Sequence, residues 1–496
     1  MQKLRFILFF LVAFLLVNFL SCKDDYENYS TSPNDILAFS TDTVSFDTIL
    51  STVNTPILGF MVYNPGSKPL LISSIGLSNG GQSGFKINVD GVAGTRFENV
   101  EIGAEDSLYV FVSVKLEENN QIVPILHNDY VVFITNTVQQ RVVLEAYGQD
   151  AYVWLGKVFE TSETLPNDKP YLVYDSLEIK EGVTLTVQEG TTFYMHSKTR
   201  INVKGTLIAK GTQEKRIVIR GDRMDYMVNI PYDRVPGQWR GITFASESFD
   251  NELEYVWIRN GEYGLLFERS EPERSKLMIK NSIVTNVTGN LILAENCRIE
   301  AENSEFSNSQ YALMYLVGGQ YSFTHCTMAN YYPNSEYFGN SNQPTLILTN
   351  KSYEIGEDGK SPVPIALPLL QADFVNSIIY SPNFNSVIQL QRDTTEFPGT
   401  VFNYRFQNSL VLYNRTNKDM FPDCVFNEPP KFINTNLTDD DAKSIPYDFR
   451  LDSLSPARDI ADPLISQKIP YDLNGISRLQ DKAPDAGAYE YIPSGQ

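Results

Sequence analysis

Cysteine and histidine are scarce in this chain, whose 496 residues include four Cys and three His. After Cys22 the remaining thiols are Cys297, Cys326 and Cys424, and an odd number leaves at least one thiol free. Neither an HExxH nor a CxxC spacing occurs, so a zinc site is not expected. The sequence therefore predicts no metal and no cofactor.

Basic residues are also fewer than acidic residues. Forty Lys and Arg stand against sixty Asp and Glu, which gives a net charge of −20. A nucleic-acid-binding protein needs a basic footprint, so we expect no nucleic acid partner. Polyanionic substrates are disfavoured by the charge of the whole chain, although a local basic groove could still bind them.

Long apolar runs are rare, and the longest lies at the N-terminus. There, fifteen residues from Phe6 to Leu20 contain one polar side chain, Asn18, and follow two positive charges, Lys3 and Arg5. A charged start, an apolar core and a small residue before a cleavage point are typical of a secretory signal. A helix of this length spans roughly 22 Å, short of the roughly 30 Å of a bilayer core. A tilted transmembrane helix stays the alternative.

Cys22 follows this run directly, and FLSC resembles the lipobox of bacterial lipoproteins, although the residue two before the cysteine is bulkier than usual. The resemblance implies a signal peptide over 1–21 and a diacylglycerol on the Cys22 thiol, whereas an ordinary structural cysteine is the alternative. Lys23, Asp24 and Asp25 resemble the export signal of Bacteroidetes-type surface lipoproteins, and a solvated acidic tether is the alternative. These resemblances imply a lipid-anchored, surface-exposed protein of the outer membrane.

The next residues predict a tether and a sandwich. Residues 22–35 are polar and predict a flexible tether. Over 36–150, short alternating runs such as GFMVYN, SLYVFVSVKL and YVVFITN are separated by turn residues, which is typical of an Ig-like β-sandwich. The segment also resembles the ASH-type (HYDIN-like) Ig modules, and this implies a spacer or interaction module without catalysis.

Four eight-residue units then repeat, at Leu253–Asn260, Ile279–Asn286, Ala301–Asn308 and Phe323–Asn330. Their starts are 26, 22 and 22 residues apart. In each unit the first and sixth residues are mostly apolar and the fourth is mostly small. The last is always Asn, which suits a turn where side-chain amides cap the backbone and stack as a ladder. A unit of this size cannot bury its own apolar face, so the copies must stack.

The intervening fifth residues vary in polarity and are predicted to face outward; they are Trp257, Ile283, Glu305 and Thr327. We therefore predict an all-β protein with a parallel β-helix over 151–430 and a C-terminal segment, 431–496, that caps it. Opening coils such as GVTLTVQEGTTFYM resemble those of right-handed parallel β-helix proteins, and the terminal PDAGAYEY resembles the C-terminal segment of bacterial surface β-helix lipoproteins. That resemblance, rather than the spacing, implies a right-handed helix.

Catalytic carboxylates are hard to find in the repeats. Two acids on adjacent rungs would lie about 4.8 Å apart, near the separation in a retaining glycosidase. However, Glu302 faces Lys280 on one side and Thr324 on the other, and no histidine has a carboxylate partner that the sequence can place. The acidic run Asp439–Asp441 predicts a solvated turn, with a calcium site as the alternative.

Binding residues are easier to nominate. The segment NYYPNSEYFGNSN carries four rings that can stack on sugars, unless they pack back onto the coil; they are Tyr331, Tyr332, Tyr337 and Phe338. Asp followed by Ser or Thr resembles the O-glycosylation sequon of the same bacteria, and the acceptors would be Thr43, Thr48, Ser107, Ser176, Thr394 and Ser453.

The leading hypothesis from the sequence is a non-catalytic surface lipoprotein whose β-helix binds glycan or another surface protein. A β-helix polysaccharide lyase or glycoside hydrolase is the first alternative, and a structural component of the envelope is the second. A folded surface with clustered carboxylates, or with Lys and Arg beside acids, would favour the enzyme.

Overall fold

The structure is a computed structural model that describes residues 29–53, 55–227, 230–332, 343–414, 419–435, 447–480 and 482–493. Strands hold 49% of the residues and helices 2%, so the protein is all-β. Contacts divide the chain into two compact units, Met1–Asp150 and Ala151–Gln496. Among the residues that the structure describes, no helix is long and apolar enough to cross a membrane.

The described part of the first unit contains two five-stranded sheets. Its strands are β1 (Ala38–Phe39), β2 (Thr43–Leu50), β3 (Leu58–Tyr63), β4 (Leu70–Leu77), β5 (Phe85–Val89), β6 (Val92–Gly94), β7 (Arg96–Ile102), β8 (Ser107–Val114), β9 (Ile125–Thr135) and β10 (Val138–Gln149). The sheet orders are β1-β3-β8-β5-β6 and β2-β10-β9-β4-β7. The pairs are antiparallel apart from β2 with β10, which is parallel.

Alternation along the strands builds the core of this unit. In β8, Leu108, Val110 and Val112 are buried while Tyr109 and Phe111 are exposed, because successive side chains point to opposite faces. The buried residues of both sheets form one apolar cluster. The two sheets therefore share a single core.

The described part of the second unit contains strands β11 to β43. The first part comprises β11 (Tyr152–Phe159), β12 (Glu163–Thr164), β13 (Tyr171–Ile179), β14 (Thr184–Val187), β15 (Thr192–Met195), β16 (Arg200–Val203), β17 (Thr206–Lys210), β18 (Ile217–Gly221), β19 (Tyr226–Met227), β20 (Ile230–Pro231), β21 (Gly241–Phe244), β22 (Asn251–Glu254), β23 (Val256–Arg259), β24 (Leu265–Phe267), β25 (Ser275–Lys280), β26 (Ile283–Val287) and β27 (Ile292–Glu295). The second part comprises β28 (Arg298–Glu302), β29 (Glu305–Ser309), β30 (Met314–Val317), β31 (Gly319–Thr324), β32 (Thr327–Ala329), β33 (Leu346–Thr349), β34 (Lys351–Ile355), β35 (Pro362–Ala366), β36 (Leu369–Val375), β37 (Ile378–Tyr380), β38 (Ile388–Gln391), β39 (Arg405–Gln407), β40 (Leu410–Val411), β41 (Val425–Phe426), β42 (Phe432–Asn434) and β43 (Asp448–Leu451). A 3₁₀-helix covers Tyr232–Arg234, and an α-helix, α1, covers Pro463–Ser466.

Most of these strands form three parallel ladders. Ladder 1 is β12-β14-β17-β22-β25-β28-β31-β36-β39. Ladder 2 runs β13-β15-β18-β23-β26-β29-β32-β37-β40-β41, and ladder 3 runs β13-β16-β21-β24-β27-β30-β33-β38. The chain visits ladders 1, 2 and 3 in turn and then repeats, so each pass adds one rung to every ladder.

The predicted first column of the repeats is confirmed by the register of ladder 1. Leu253 pairs with Ile279, Ile279 with Ala301, and Ala301 with Phe323. The column continues through Phe374 and Phe406, and its members are buried. Their side chains lie in one apolar cluster with the inward residues of the other ladders.

The predicted asparagine column lies at a turn, as expected, but its amides do not stack on one another. Asn260, Asn286 and Asn308 have left-handed backbones with φ of 67°, 62° and 55°. The amides of Asn260, Asn286 and Asn330 donate to backbone carbonyls of neighbouring segments, as when Asn330 Nδ2 donates to the Ser309 oxygen over 2.9 Å. This column therefore caps the backbone.

An amide ladder exists at a different corner, between ladders 1 and 2. Six residues there have φ between 46° and 52°, and they are Tyr255, Asn281, Asn303, His325, Asn376 and Asn408. Asn303 Nδ2 donates to Asn281 Oδ1 over 2.7 Å, and Asn376 Nδ2 lies 3.0 Å from His325 Nε2. Asparagine suits this column because its short polar side chain tolerates the left-handed region.

The C-terminal segment lies along the side of ladder 2. Tyr489 donates to Glu305 Oε2 over 2.5 Å, and the Ala488 amide donates to Thr327 Oγ1 over 2.9 Å. Glu305 and Thr327 are consequently buried, at 8% and 1% exposure. The prediction that this face is outward is right for the direction of the side chains, and Trp257 and Ile283 stay partly exposed, but the segment buries Glu305 and Thr327.

Burial should make Glu305 a source of pH dependence. Burial raises the pKa of Glu305 above its ordinary 4.5, while hydrogen bonds from Ser307 and Tyr489 offset part of the rise. Asp448 raises this pKa further and Arg216 lowers it. A carboxyl with a raised folded pKa stabilises the protein below the unfolded pKa, and this stability is lost as pH rises towards the folded value.

We therefore expect Glu305→Gln to increase the stability of the second unit at pH 7 and to change it little at pH 4. Urea denaturation at both pH values checks this, with the half-exposed, Lys280-paired Glu302→Gln as the control. An equal effect of Glu305→Gln at both pH values would contradict the assignment.

Candidate functional site

Several predicted site residues lie outside the residues that the structure describes. They are Cys22, Lys23, Asp24 and Asp25 of the anchor, Tyr337 and Phe338 of the ring-bearing loop, and the acidic run Asp439–Asp441. Their roles stay predictions.

Tyr331 and Tyr332 pack into the protein. Tyr332 is 1% exposed. The Tyr331 ring lies 5.7 Å from Phe449, 6.0 Å from Phe432 and 6.1 Å from Tyr380, in the cluster that the C-terminal segment forms with ladder 2. For these two rings the alternative that they pack back onto the coil holds, because Tyr332 is buried and Tyr331 lies within an aromatic cluster.

The six candidate O-glycosylation acceptors lie at the surface. Thr43, Thr48, Ser107 and Ser176 are partly exposed, and Thr394 and Ser453 are exposed. Asp residues before them shape turns: the Asp393 carboxylate accepts the amides of Thr395 and Glu396, and Asp47 and Asp175 have φ of 55° and 65°. These side chains are accessible for modification, and their glycosylation stays a prediction.

The three cysteines in the described region are free thiols. Burial raises the pKa of Cys297 and of Cys326 to about 12, and that of Cys424 to about 11. Such thiols are poor nucleophiles because the thiolate is the reactive form. No group of three or more His, Cys, Asp or Glu among the described residues is placed to hold a metal ion.

A shallow polar groove of about 230 Å³ lies on the outer face of ladder 1. Alternation places it there: in β28, Ile299 and Ala301 point into the core while Arg298, Glu300 and Glu302 point outward. The neighbouring rungs add polar side chains in register, namely Gln320, Ser322 and Thr324 from β31 and Gln371 from β36.

The charges of the groove neutralise one another. Arg298 Nε donates to Glu300 Oε1 over 2.7 Å, and Lys280 Nζ lies 2.8 Å from Glu302 Oε2. Each carboxylate is thus paired with a cation. The groove offers amide, hydroxyl and carboxylate groups on rungs about 4.8 Å apart, an array suited to hydrogen bonding with a hydroxyl-rich chain.

A histidine–carboxylate pair lies at the corner after ladder 2, where the sequence had offered no partner for a histidine. His196 Nδ1 is 2.6 Å from Asp222 Oδ2, and the imidazole packs on Tyr174 with ring centres 4.6 Å apart. The His196 side chain is 48% exposed. An exposed imidazole hydrogen-bonded to a carboxylate is the arrangement that general-base catalysis uses.

The pair could have been found from the strand register. Met195 pairs with Gly221, so the residues that follow, His196 and Asp222, must lie side by side although 26 residues separate them. The four repeated units of the sequence begin at Leu253, after the rungs that carry His196 and Asp222.

Arginines next to this pair are already engaged. Asp233 binds both Arg220 and Arg259, with 2.8 Å for each contact. Burial lowers the pKa of Arg259 to about 10, and the guanidinium lies 4.0 Å from the Trp257 ring centre. The two arginines hold Asp233, in the 3₁₀-helix, against ladder 2 and are not free to bind a ligand.

No protein family and no curated protein matches the chain. Among solved structures, a family 123 glycoside hydrolase from Clostridium perfringens is 11% identical over 23% of this chain and 26% of that chain, with a TM-score of 0.17. An alkylpurine DNA glycosylase from Pseudomonas fluorescens, bound to DNA, is 12% identical over 23% and 30%, with a TM-score of 0.15. The catalytic domain of a family 87 α-1,3-glucanase in complex with nigerose is 8% identical over 75% and 87%, with a TM-score of 0.20. This chain spans less than a third of the first two proteins, and all three scores are too low to support a function.

Proposed function

We propose that this protein is a lipid-anchored outer-membrane lipoprotein of the Bacteroidetes type that binds glycan outside the cell without cleaving it. In this proposal Cys22 carries the lipid and residues 22–35 form the tether. Lys23, Asp24 and Asp25 direct the protein to the outer face. The resemblance of FLSCKDD to lipoprotein signals supports the anchor.

We also propose a fold for each of the two units. The second unit is a right-handed parallel β-helix, which is supported by a chain that visits three parallel ladders in turn. The handedness rests on the resemblance of the sequence to surface β-helix lipoproteins. The first unit is an Ig-like sandwich, which is supported by two five-stranded sheets around one core. It acts as a spacer or interaction module.

The observation that carries the binding function is the groove on ladder 1. Its walls present side chains from three successive rungs, as in the column Arg298, Gln320 and Gln371. A protein partner would require an apolar centre in the interface, which this polar face does not supply. A neutral or mixed glycan needs hydrogen bonds at regular spacing, so glycan is the better match.

Removing the two groove amides should weaken glycan binding. We expect Gln320→Ala with Gln371→Ala to lower the affinity about tenfold, because each lost hydrogen bond contributes about 0.5–1.5 kcal/mol. The measurement is a glycan array followed by calorimetry with residues 23–496. A matched control, Thr184→Ala with Thr186→Ala, changes outward residues of the same ladder outside the groove.

Silence of the wild-type protein on an array where another β-helix protein binds would contradict the glycan proposal. An equal loss of glycan affinity in the threonine control would show that the groove is not the binding site.

The enzyme alternative is favoured by one observation, the His196–Asp222 pair. A polysaccharide lyase or hydrolase that uses it would release unsaturated products or reducing ends from a polysaccharide panel. His196→Gln would abolish that release. A wild-type protein that binds a polysaccharide and releases neither product supports binding alone.

A further inference from the structure

A group of exposed basic residues lies at the corner between ladders 2 and 3. It comprises His196, Lys198, Arg200 and Arg240, and we call it the basic corner. All four are exposed on a chain whose net charge is −20. The basic corner is separate from the groove on ladder 1, so the two can be tested independently.

Backbone pairing holds these residues close together. Lys198 and Arg200 lie on one rung, two residues apart. The Arg240 amide donates to the Thr199 oxygen over 2.8 Å, and Arg200 pairs with Gly241, so Arg240 lies on the next rung. Adjacent rungs are about 4.8 Å apart. Three cations are thus fixed within two neighbouring rungs by main-chain hydrogen bonds.

These cations differ from other surface cations of the ladders because they form no ion pairs within the described part of the chain. Elsewhere a surface lysine meets an acid on the adjacent rung, as in Lys204 with Glu178, 3.0 Å, and Lys215 with Glu189, 3.0 Å. Among the residues that the structure describes, no acid lies within ion-pair distance of Lys198, Arg200 or Arg240. Three adjacent cations that form no ion pair with a described residue leave charge available for a ligand.

The surroundings of the corner suit a sugar. Tyr174 packs against His196, and Tyr263, which is 40% exposed, lies beside Arg240 because its amide donates to the Arg240 oxygen over 3.3 Å. Aromatic rings next to cations can stack on a pyranose while guanidinium groups bind its carboxylate. Three acids, Asp175, Asp222 and Glu262, lie at the same corner and limit its net charge, and Asp222 is paired with His196.

We propose that the basic corner binds an acidic polysaccharide, with Arg200 and Arg240 contacting carboxylate groups on successive sugars. The occupant is a polysaccharide rather than an anionic membrane surface because the cations follow the rung spacing and are flanked by rings. The arginines are the better anchors because a guanidinium binds a carboxylate through two parallel hydrogen bonds.

The test is calorimetry or biolayer interferometry of residues 23–496 with polygalacturonate, with neutral dextran as the reference polymer. We expect binding to polygalacturonate that weakens with added salt. Arg200→Ser with Arg240→Ser should lower the affinity at least about tenfold. Lys204→Ser with Lys215→Ser removes the same charge from paired positions on neighbouring rungs and should stay within about twofold of wild type.

Four results would overturn the proposal: no binding of polygalacturonate, equal binding of dextran, equal loss in the lysine control, and competition by phosphatidylglycerol vesicles as strong as by the polymer. The last result would assign the corner to a membrane surface. Loss of polygalacturonate binding in the arginine variant, with the groove variant unaffected, would support the basic corner and leave the groove proposal to its own test.

Discussion

Arg478→Ala should destabilise the second unit by about 3–5 kcal/mol, the cost of leaving a buried charge without its partner. The Arg478 side chain is fully buried, at 0% exposure, and Nη1 lies 2.7 Å from Glu490 Oε1. Nη2 donates to Asn303 Oδ1 over 2.6 Å and to the Gly487 oxygen over 3.1 Å. The guanidinium therefore joins the C-terminal segment to the amide ladder, and alanine would remove three hydrogen bonds and leave the Glu490 carboxylate without its cation.

Urea denaturation followed by circular dichroism measures the effect, and limited proteolysis tests whether the C-terminal segment detaches first. Arg450→Ala is the control, because Arg450 forms a half-exposed pair with Asp448, 2.6 Å, and such pairs contribute about 0–1 kcal/mol. The double variant Arg478→Met with Glu490→Gln should recover part of the loss since it removes both charges. A loss below that of Arg450→Ala would show that the pair does not hold the segment.

Phe374→Ala should cost about 3–5 kcal/mol, because it removes a fully buried ring from the middle of an aromatic stack. The Phe374 ring lies 5.2 Å from Phe323 and 4.8 Å from Phe406, with interplanar angles of 2° and 8°. Phe406 continues the stack to Phe421 at 4.5 Å. The rungs on both sides fix the backbone, so the cavity cannot collapse easily.

The conservative control for this stack is Phe374→Leu, which keeps most of the volume and should cost less than about 1.5 kcal/mol. Thermal and urea denaturation of the two variants provide the comparison. Equal stabilities of the alanine and leucine variants would contradict an interior ring stack at this position.

The interior of the second unit was predictable from the sequence because it repeats. The first column of the repeats, from Leu253 to Phe323, gave the register of ladder 1, and Phe374 and Phe406 extend it. The period of two along a strand was sufficient to place inward and outward residues.

The parts that the sequence could not predict depend on contacts between distant segments. Nothing local to Glu305 indicates that Tyr489 will cover it, and nothing near Tyr331 indicates that it will pack against Phe449. The sequence placed the amide ladder at the wrong corner because Asn occurs at both corners. The hydrogen bond from Asn303 Nδ2 to Asn281 Oδ1 shows that the ladder lies at the corner between ladders 1 and 2.

The most direct test of a lipid-anchored glycan receptor is retention of a labelled polysaccharide on intact cells, using the best ligand from the array. Cells with the wild-type protein should bind the label, while cells with Cys22→Ala should lose it because the protein is no longer held at the membrane. The groove variant should lose the label yet remain accessible to protease at the surface. Label retention that is equal in cells with and without the protein would contradict the proposal.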